Sequence, residues 1–194
     1  MIDRASLERL YLEDKLSMKS VAAALGCSQT KVQYWMNKYR IERRTISNAI
    51  YISHNPQGDP FVAAPIKTIE QAALHGLGIG LYWGEGNKAN QYSVRLGNSD
   101  PELLKAFIRF LVELYGVDRG ALRFGLQLFS DIDQETALAY WCQKLAMKPS
   151  QFYKITVTIS GAIGTYRKKS QYGVVTVYYH NKKLRDVLVG LLPR

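Results

Sequence analysis

The segment "AALHGLGIGLYWGEGNK", Ala72–Lys88, carries five glycines within eleven residues: Gly76, Gly78, Gly80, Gly84 and Gly86. Apolar residues fill most positions between them, and Glu85 stands between the last two. A glycine inside a helix costs about 1 kcal/mol relative to alanine, so repeating it requires a reason. On a helix, Gly76, Gly80 and Gly84 fall at i, i+4 and i+8. They form one bare stripe along which a second helix backbone can approach closely. A nucleotide-binding glycine loop is the rival reading, and spacing rejects it. After the GxG starts at 76 and 78, GxGxxG needs glycine at 81 or 83, where Leu81 and Trp83 stand, and no strand precedes the segment.

Outward from this segment toward the C-terminus, helical and alternating patterns take turns. "YSVRLGNSD", 92–100, reads as a strand with Val94 and Leu96 inward and Ser93 and Arg95 outward. "DPELLKAFIRFLVELYG" is an amphipathic helix with Leu103, Phe107, Phe110 and Leu111 inward, ending at Gly116. "ALRFGLQLF" alternates again, with Leu122, Phe124, Leu126 and Leu128 against Arg123, Gly125 and Gln127. "DQETALAYWCQKLAM" is a further helix, "KITVTI" and "YGVVTVYYH" are strands, and "KKLRDVLVGLL" closes the chain as a helix. Between the last two strands, "GTYRKKSQYG", 164–173, forms a basic loop. The outward positions Ser93, Arg95, Arg123, Gln127, Lys154, Thr156, Thr158, Thr176 and Tyr178 make a polar sheet face. Arginine suits guanine and glutamine suits adenine, while Lys154 and the loop residues Arg167, Lys168 and Lys169 suit phosphates. An ordinary solvated face would alternate in the same way. His54, His75 and His180 read as isolated, and Asp131 and Asp133 read as helix caps.

In the other direction, "SLERLYLEDKLSMKSVAAALGCSQTKVQYWMNKYR", 6–40, parses into three short helices. Ser17 caps the second, which stops at Gly26, and Ser28 caps the third. Val32, Trp35 and Met36 share one face of the third helix, with Tyr39 a turn later. The stretch "VAAALGCSQTKVQYW" resembles the helix-turn-helix of bacterial resolvases, transposases and regulators. That likeness implies that Gln29, Thr30, Gln33, Tyr34 and Asn37 face base edges, with Ser28, Lys31 and Lys38 nearer phosphates. Arg40, Arg43 and Arg44 follow and would extend the contact along the backbone or minor groove. A helical packing module with a polar outer face is the alternative. Residues 51–65, rich in proline, read as a linker between a 1–50 helix-turn-helix domain and a 66–194 domain.

Composition limits what such a chain can do. Hydrophobic residues make up 47% of its 194, enough for a real core. No apolar run reaches the ~18 residues of a membrane span, and the charged N-terminus carries no signal core, so a cytoplasmic, membrane-free protein is expected. Cys27 and Cys142 show no ligand spacing and are expected as reduced thiols. The formal charge of +10 is unevenly spread: +3 over residues 1–64, zero over 65–153 and +7 over 154–194. A concentrated basic region favours a polyanionic partner, because bound phosphates release counterions.

With those features in place, "GIGLYWGEG", 78–86, resembles the signature of LAGLIDADG homing endonucleases. Gly80, Leu81 and Gly86 match; Gly84 stands for its small alanine, Glu85 for its second aspartate, Trp83 for its first, and Gly78 for its first leucine. The resemblance implies an α+β architecture: the tri-helical helix-turn-helix followed by an αββαββα domain. Departures are the short interval before Tyr92 and the additional helix near 134–147. It further implies that Gly76, Gly80, Leu81 and Gly84 form a homodimer seam, because the motif occurs once. Glu85, with Gly84 beside it, is the implied Mg²⁺-binding catalytic position, acting on double-stranded DNA with approximate two-fold symmetry. A non-catalytic DNA-binding regulator and an RNA-binding protein on the same scaffold remain the alternatives.

Overall fold

The computed structural model describes residues 1–159 and 170–193, so Arg167, Lys168 and Lys169 lie outside the described residues. The chain is α+β, with eight α-helices and one four-stranded mixed sheet among those residues. No described helix is long and apolar enough to cross a membrane. Two compact units form, Met1–Pro60 and Phe61–Arg194.

In the first unit, α1 (Arg4–Glu8) runs into a π turn (Arg9–Glu13), followed by α2 (Met18–Ala24), α3 (Gln29–Lys38) and α4 (Ile46–His54). The caps expected at Ser17 and Ser28 are made: their hydroxyls accept from the N–H groups of Ser20 and Lys31. Gly26 takes a φ of +59° at the turn between α2 and α3, where a side chain would be strained. Leu7, Tyr11, Val21, Ala22, Val32 and Met36 close a small core of their own. Thr45 caps α4, which extends to His54, so the first part of the expected 51–65 linker is helical. Its last part is not free chain either. Val62 N–H donates to Tyr115 carbonyl at 2.9 Å and Ala64 N–H to Leu114 carbonyl at 2.8 Å.

The second unit starts with α5 (Ile69–Glu85) and continues with β1 (Val94–Asn98), α6 (Pro101–Tyr115), β2 (Arg123–Phe129), α7 (Gln134–Leu145), β3 (Thr156–Thr158), β4 (Val174–Tyr179) and α8 (Lys182–Gly190). The sheet order is β1-β4-β2-β3, with β4 antiparallel to both neighbours and β3 parallel to β2. Leu96, Leu122, Phe124, Leu126, Leu128, Val175 and Val177 turn inward onto α5, α6, α7 and α8, as alternation predicts. Burying that apolar area at roughly 25 cal/mol per Å² is the main force holding the unit together. The expected "KITVTI" strand is shorter than its pattern, only Thr156–Thr158. Asp133 caps α7 as expected, accepting from Thr136 N–H at 2.8 Å.

The five glycines separate into two kinds. A Cβ on Gly78 would fall 2.1 Å from the Phe110 ring, and one on Gly86 would fall 2.3 Å from the Tyr82 carbonyl. Both glycines therefore serve packing within the chain. At Gly76, Gly80 and Gly84 an added Cβ would meet nothing within 4 Å among the described residues. Leu74, Gly78 and Tyr82 face the core, and the glycine stripe lies on the opposite side of α5.

Candidate functional site

The site begins where α5 ends. Gly86 forms an isolated antiparallel bridge with Leu96, and Asn87 N–H donates to Arg95 carbonyl at 2.9 Å. That single bridge brings the end of α5, where Glu85 is the last helical residue, against the edge strand β1. This bridge occupies the short interval where the sequence left little room for a hairpin. Glu85 is exposed, one residue and therefore about 100° around the helix from Gly84. The loop that follows is held from both ends. Lys88 Nζ donates to Trp83 carbonyl at 2.6 Å, neutralising the negative end of α5. From α8, Arg185 donates to the carbonyls of Asn90 and Lys88, and its Nη1 meets Asp186 at 3.0 Å. Tyr82 Oη is buried nearby without a hydrogen-bond partner among the described residues, and burial pushes its phenol pKa up.

Beside this helix end lies the outer face of the sheet. Tyr178 is paired across with Arg95 on β1 and with Arg123 on β2, giving an Arg–Tyr–Arg row over three strands. The next row is Gly97, Thr176 and Gly125, and Gln127 pairs with Val174 on one side and Thr156 on the other. Thr158 follows on the same face of β3, and Lys154 is exposed in the segment leading to it. A Cβ on Gly97 would come 2.8 Å from Thr176 Oγ1, and one on Gly125 would come 3.1 Å from the Tyr178 ring. Gly125 thus lets the Tyr178 ring lie down on the sheet, while Gly97 makes room for the Thr176 hydroxyl.

No family model matches this chain, and no curated protein or solved structure matches it either. Its functional reading therefore rests on its own residues.

Sequence expectations at this site are corrected at Ser93 and at His180. Ser93, expected outward, is fully buried. Asn90 Oδ1 accepts from the N–H groups of Tyr92 and Ser93 and from Ser93 Oγ, all at 3.0 Å, folding the chain into a turn that encloses the hydroxyl. Ser93 Oγ then accepts from Arg95 Nε at 2.8 Å, so it aims an arginine rather than meeting a partner molecule. His180, which read as isolated, is 2.6 Å from Tyr153 Oη through its Nε2 and stacks against Tyr178. Leu81, expected in the seam, is half-buried against the chain's own core. Ile69, Leu77 and Trp83, which the sequence analysis did not single out, are 84%, 50% and 56% exposed on the side of Gly76, Gly80 and Gly84. Their helical spacing, with Ala73, was a legible signal.

In the first unit, Ser28, Gln29, Thr30, Lys31, Tyr34 and Asn37 lie exposed along α3, and Gln33 is half-buried. Arg43 is exposed. Arg44 is corrected: its guanidinium donates to the carbonyls of Tyr11, Lys15 and Leu16 and lies over the Tyr11 ring. It closes the end of the π turn instead of extending an outer basic surface. Among the described residues, no group of three or more His, Cys, Asp or Glu side chains gathers to hold a metal.

Proposed function

We propose that the chain is a homodimeric, sequence-specific binder of double-stranded DNA that hydrolyses phosphodiesters with Mg²⁺, a helix-turn-helix unit joined to a LAGLIDADG-like unit. The observation that carries this reading is the register at the end of α5. Gly86 pairs with Leu96, so the end of α5 that carries the exposed Glu85 abuts the edge strand of the sheet, and Gly84 beside it ends a stripe that is bare among the described residues. Two copies meeting along Gly76, Gly80 and Gly84 would each bring one Glu85 toward the shared axis.

Within this reading α3 supplies Gln29, Thr30, Gln33, Tyr34 and Asn37 to base edges, with Ser28, Lys31 and Arg43 toward phosphates. On the sheet, Gln127, Thr156, Thr158, Thr176 and Lys154 would meet the duplex beside the acidic helix end. The donors at that end fit Mg²⁺, which takes oxygen ligands: a carboxylate at Glu85 and the backbone carbonyl of Gly84, doubled in a dimer. When bound, the ion would lower the pKa of a water and steady the departing oxygen. Lys88 and Arg185 hold the loop behind Glu85 and so fix its position.

The test is selection of bound duplexes from a random library, followed by a Mg²⁺-dependent nicking assay on the winners. Glu85→Gln is expected to abolish nicking while DNA affinity stays the same or rises. Cleavage at the wild-type rate removes Glu85 from the mechanism. A second reading is a regulator that binds DNA without cutting it. Specific binding without nicking by the wild-type protein would select it.

A further inference from the structure

The outer sheet face carries a cluster of Arg95, Arg123 and His180 around Tyr178 to which the sequence assigns no joint role. We propose that Arg95, Arg123 and His180 form a binding site for one backbone phosphate of nucleic acid, with Tyr153 orienting the imidazole. The proposal rests on the reading of this sheet as a DNA surface and refines it: these arginines grip the backbone instead of reading guanine.

Both guanidiniums are held in place with donors to spare. Arg95 commits its Nε to Ser93 Oγ at 2.8 Å and sits 5.2 Å from the centroid of the Tyr178 ring. Arg123 commits Nη1 to the carbonyls of Gly120 at 2.7 Å and Leu122 at 2.8 Å. Neither has a carboxylate partner among the described residues. Guanidinium forks with free N–H groups match the oxygens of a phosphate. Tyr153 Oη engages His180 Nε2, which leaves Nδ1 as the ring nitrogen available to a ligand. The low floor of Gly97, Thr176 and Gly125 beside the row lets a polymer lie against it.

Electrostatics supply a second line of support. Burial first, and then the charges of Arg95 and Arg123, hold the His180 pKa below the usual histidine range. Among the described residues, the groups facing this imidazole are Tyr153 from the segment before β3, Tyr178 from β4, Arg95 from β1 and Arg123 from β2. None is an acid. A bound phosphate offsets the two guanidiniums and favours the imidazolium, so binding takes up a proton and tightens as pH falls.

The experiment uses the full chain and two probes. Inorganic sulfate keeps its double charge through the histidine range and presents the same tetrahedral oxygens. His180 is followed by NMR of its imidazole against pH and assigned among the three histidines with His180→Gln. Sulfate is expected to raise the His180 midpoint by about one pH unit over chloride at equal ionic strength, equivalent to about tenfold tighter binding by the protonated form. Arg123→Gln should remove most of that rise. In the second arm, a duplex from the selected pool should bind severalfold tighter at low than at high pH, and His180→Gln should flatten the dependence. A midpoint moved no further by sulfate than by chloride overturns the site, as does a pH dependence that survives His180→Gln. Either result with DNA still bound leaves the DNA reading standing. A sulfate response in a protein that binds no DNA keeps the site and removes that reading.

Discussion

The Arg44 guanidinium reaches the Tyr11, Leu16 and Lys15 carbonyls at 2.6, 2.7 and 2.8 Å. Hydrogen bonds from a charged donor contribute about 1.5–3 kcal/mol where water is partly excluded. Arg44→Ala should therefore lower stability by about 2 kcal/mol in chemical denaturation, while Arg43→Ala, at an exposed side chain, leaves it unchanged. His180 gives a prediction of opposite character. Its pKa is lower in the folded chain than in the unfolded one, so the unfolded state binds more protons. Stability is then greatest above the ordinary histidine pKa and falls as pH drops from there toward the folded-state value. His180→Gln should make the acid limb of a stability-against-pH curve shallower; an unaltered limb would show that the imidazole gains nothing from staying neutral.

Helix α5 is the element on which most of the reading depends, because one sequence feature has two physical causes. Gly78→Ala pushes a methyl group to 2.1 Å from the Phe110 ring, and overpacking of this kind costs about 1–3 kcal/mol. Gly80→Ala meets nothing within 4 Å among the described residues, so at dilutions where chains are apart it should raise stability by up to about 1 kcal/mol. Opposite signs in a thermal melt would establish the division. Periodicity made much of this fold legible: the alternation in β2 and β4, the caps at Ser17, Ser28 and Asp133, and the stop of α6 at Gly116 all depend on neighbours in sequence. The failures are of another kind. Ser93 turns inward because Asn90 competes for its backbone, and α4 hides in a stretch whose prolines suggested a connection. The His180–Tyr153 pair spans 27 residues and the Arg185 clasp more than ninety, distances at which local patterns carry no information.

For the whole molecule, the acidic helix end, the polar sheet face and the bare stripe are three parts of one surface logic. The first two lie together in a single chain, joined by the Gly86–Leu96 bridge. In the proposed dimer the third would be covered by another α5, with the exposed Ile69, Leu77 and Trp83 shielding the glycines from water. The +7 charge of residues 154–194 belongs to the same unit and would draw a polyanion toward it. The measurement that bears most directly on the central claim is sedimentation equilibrium without DNA, on wild type and on Gly80→Leu. Because position 80 is open within the chain, leucine there should leave the fold and its circular dichroism intact. The account predicts twice the chain mass for the wild type and the single-chain mass for Gly80→Leu. A wild type that stays single, or a Gly80→Leu variant that still pairs as tightly, would contradict it.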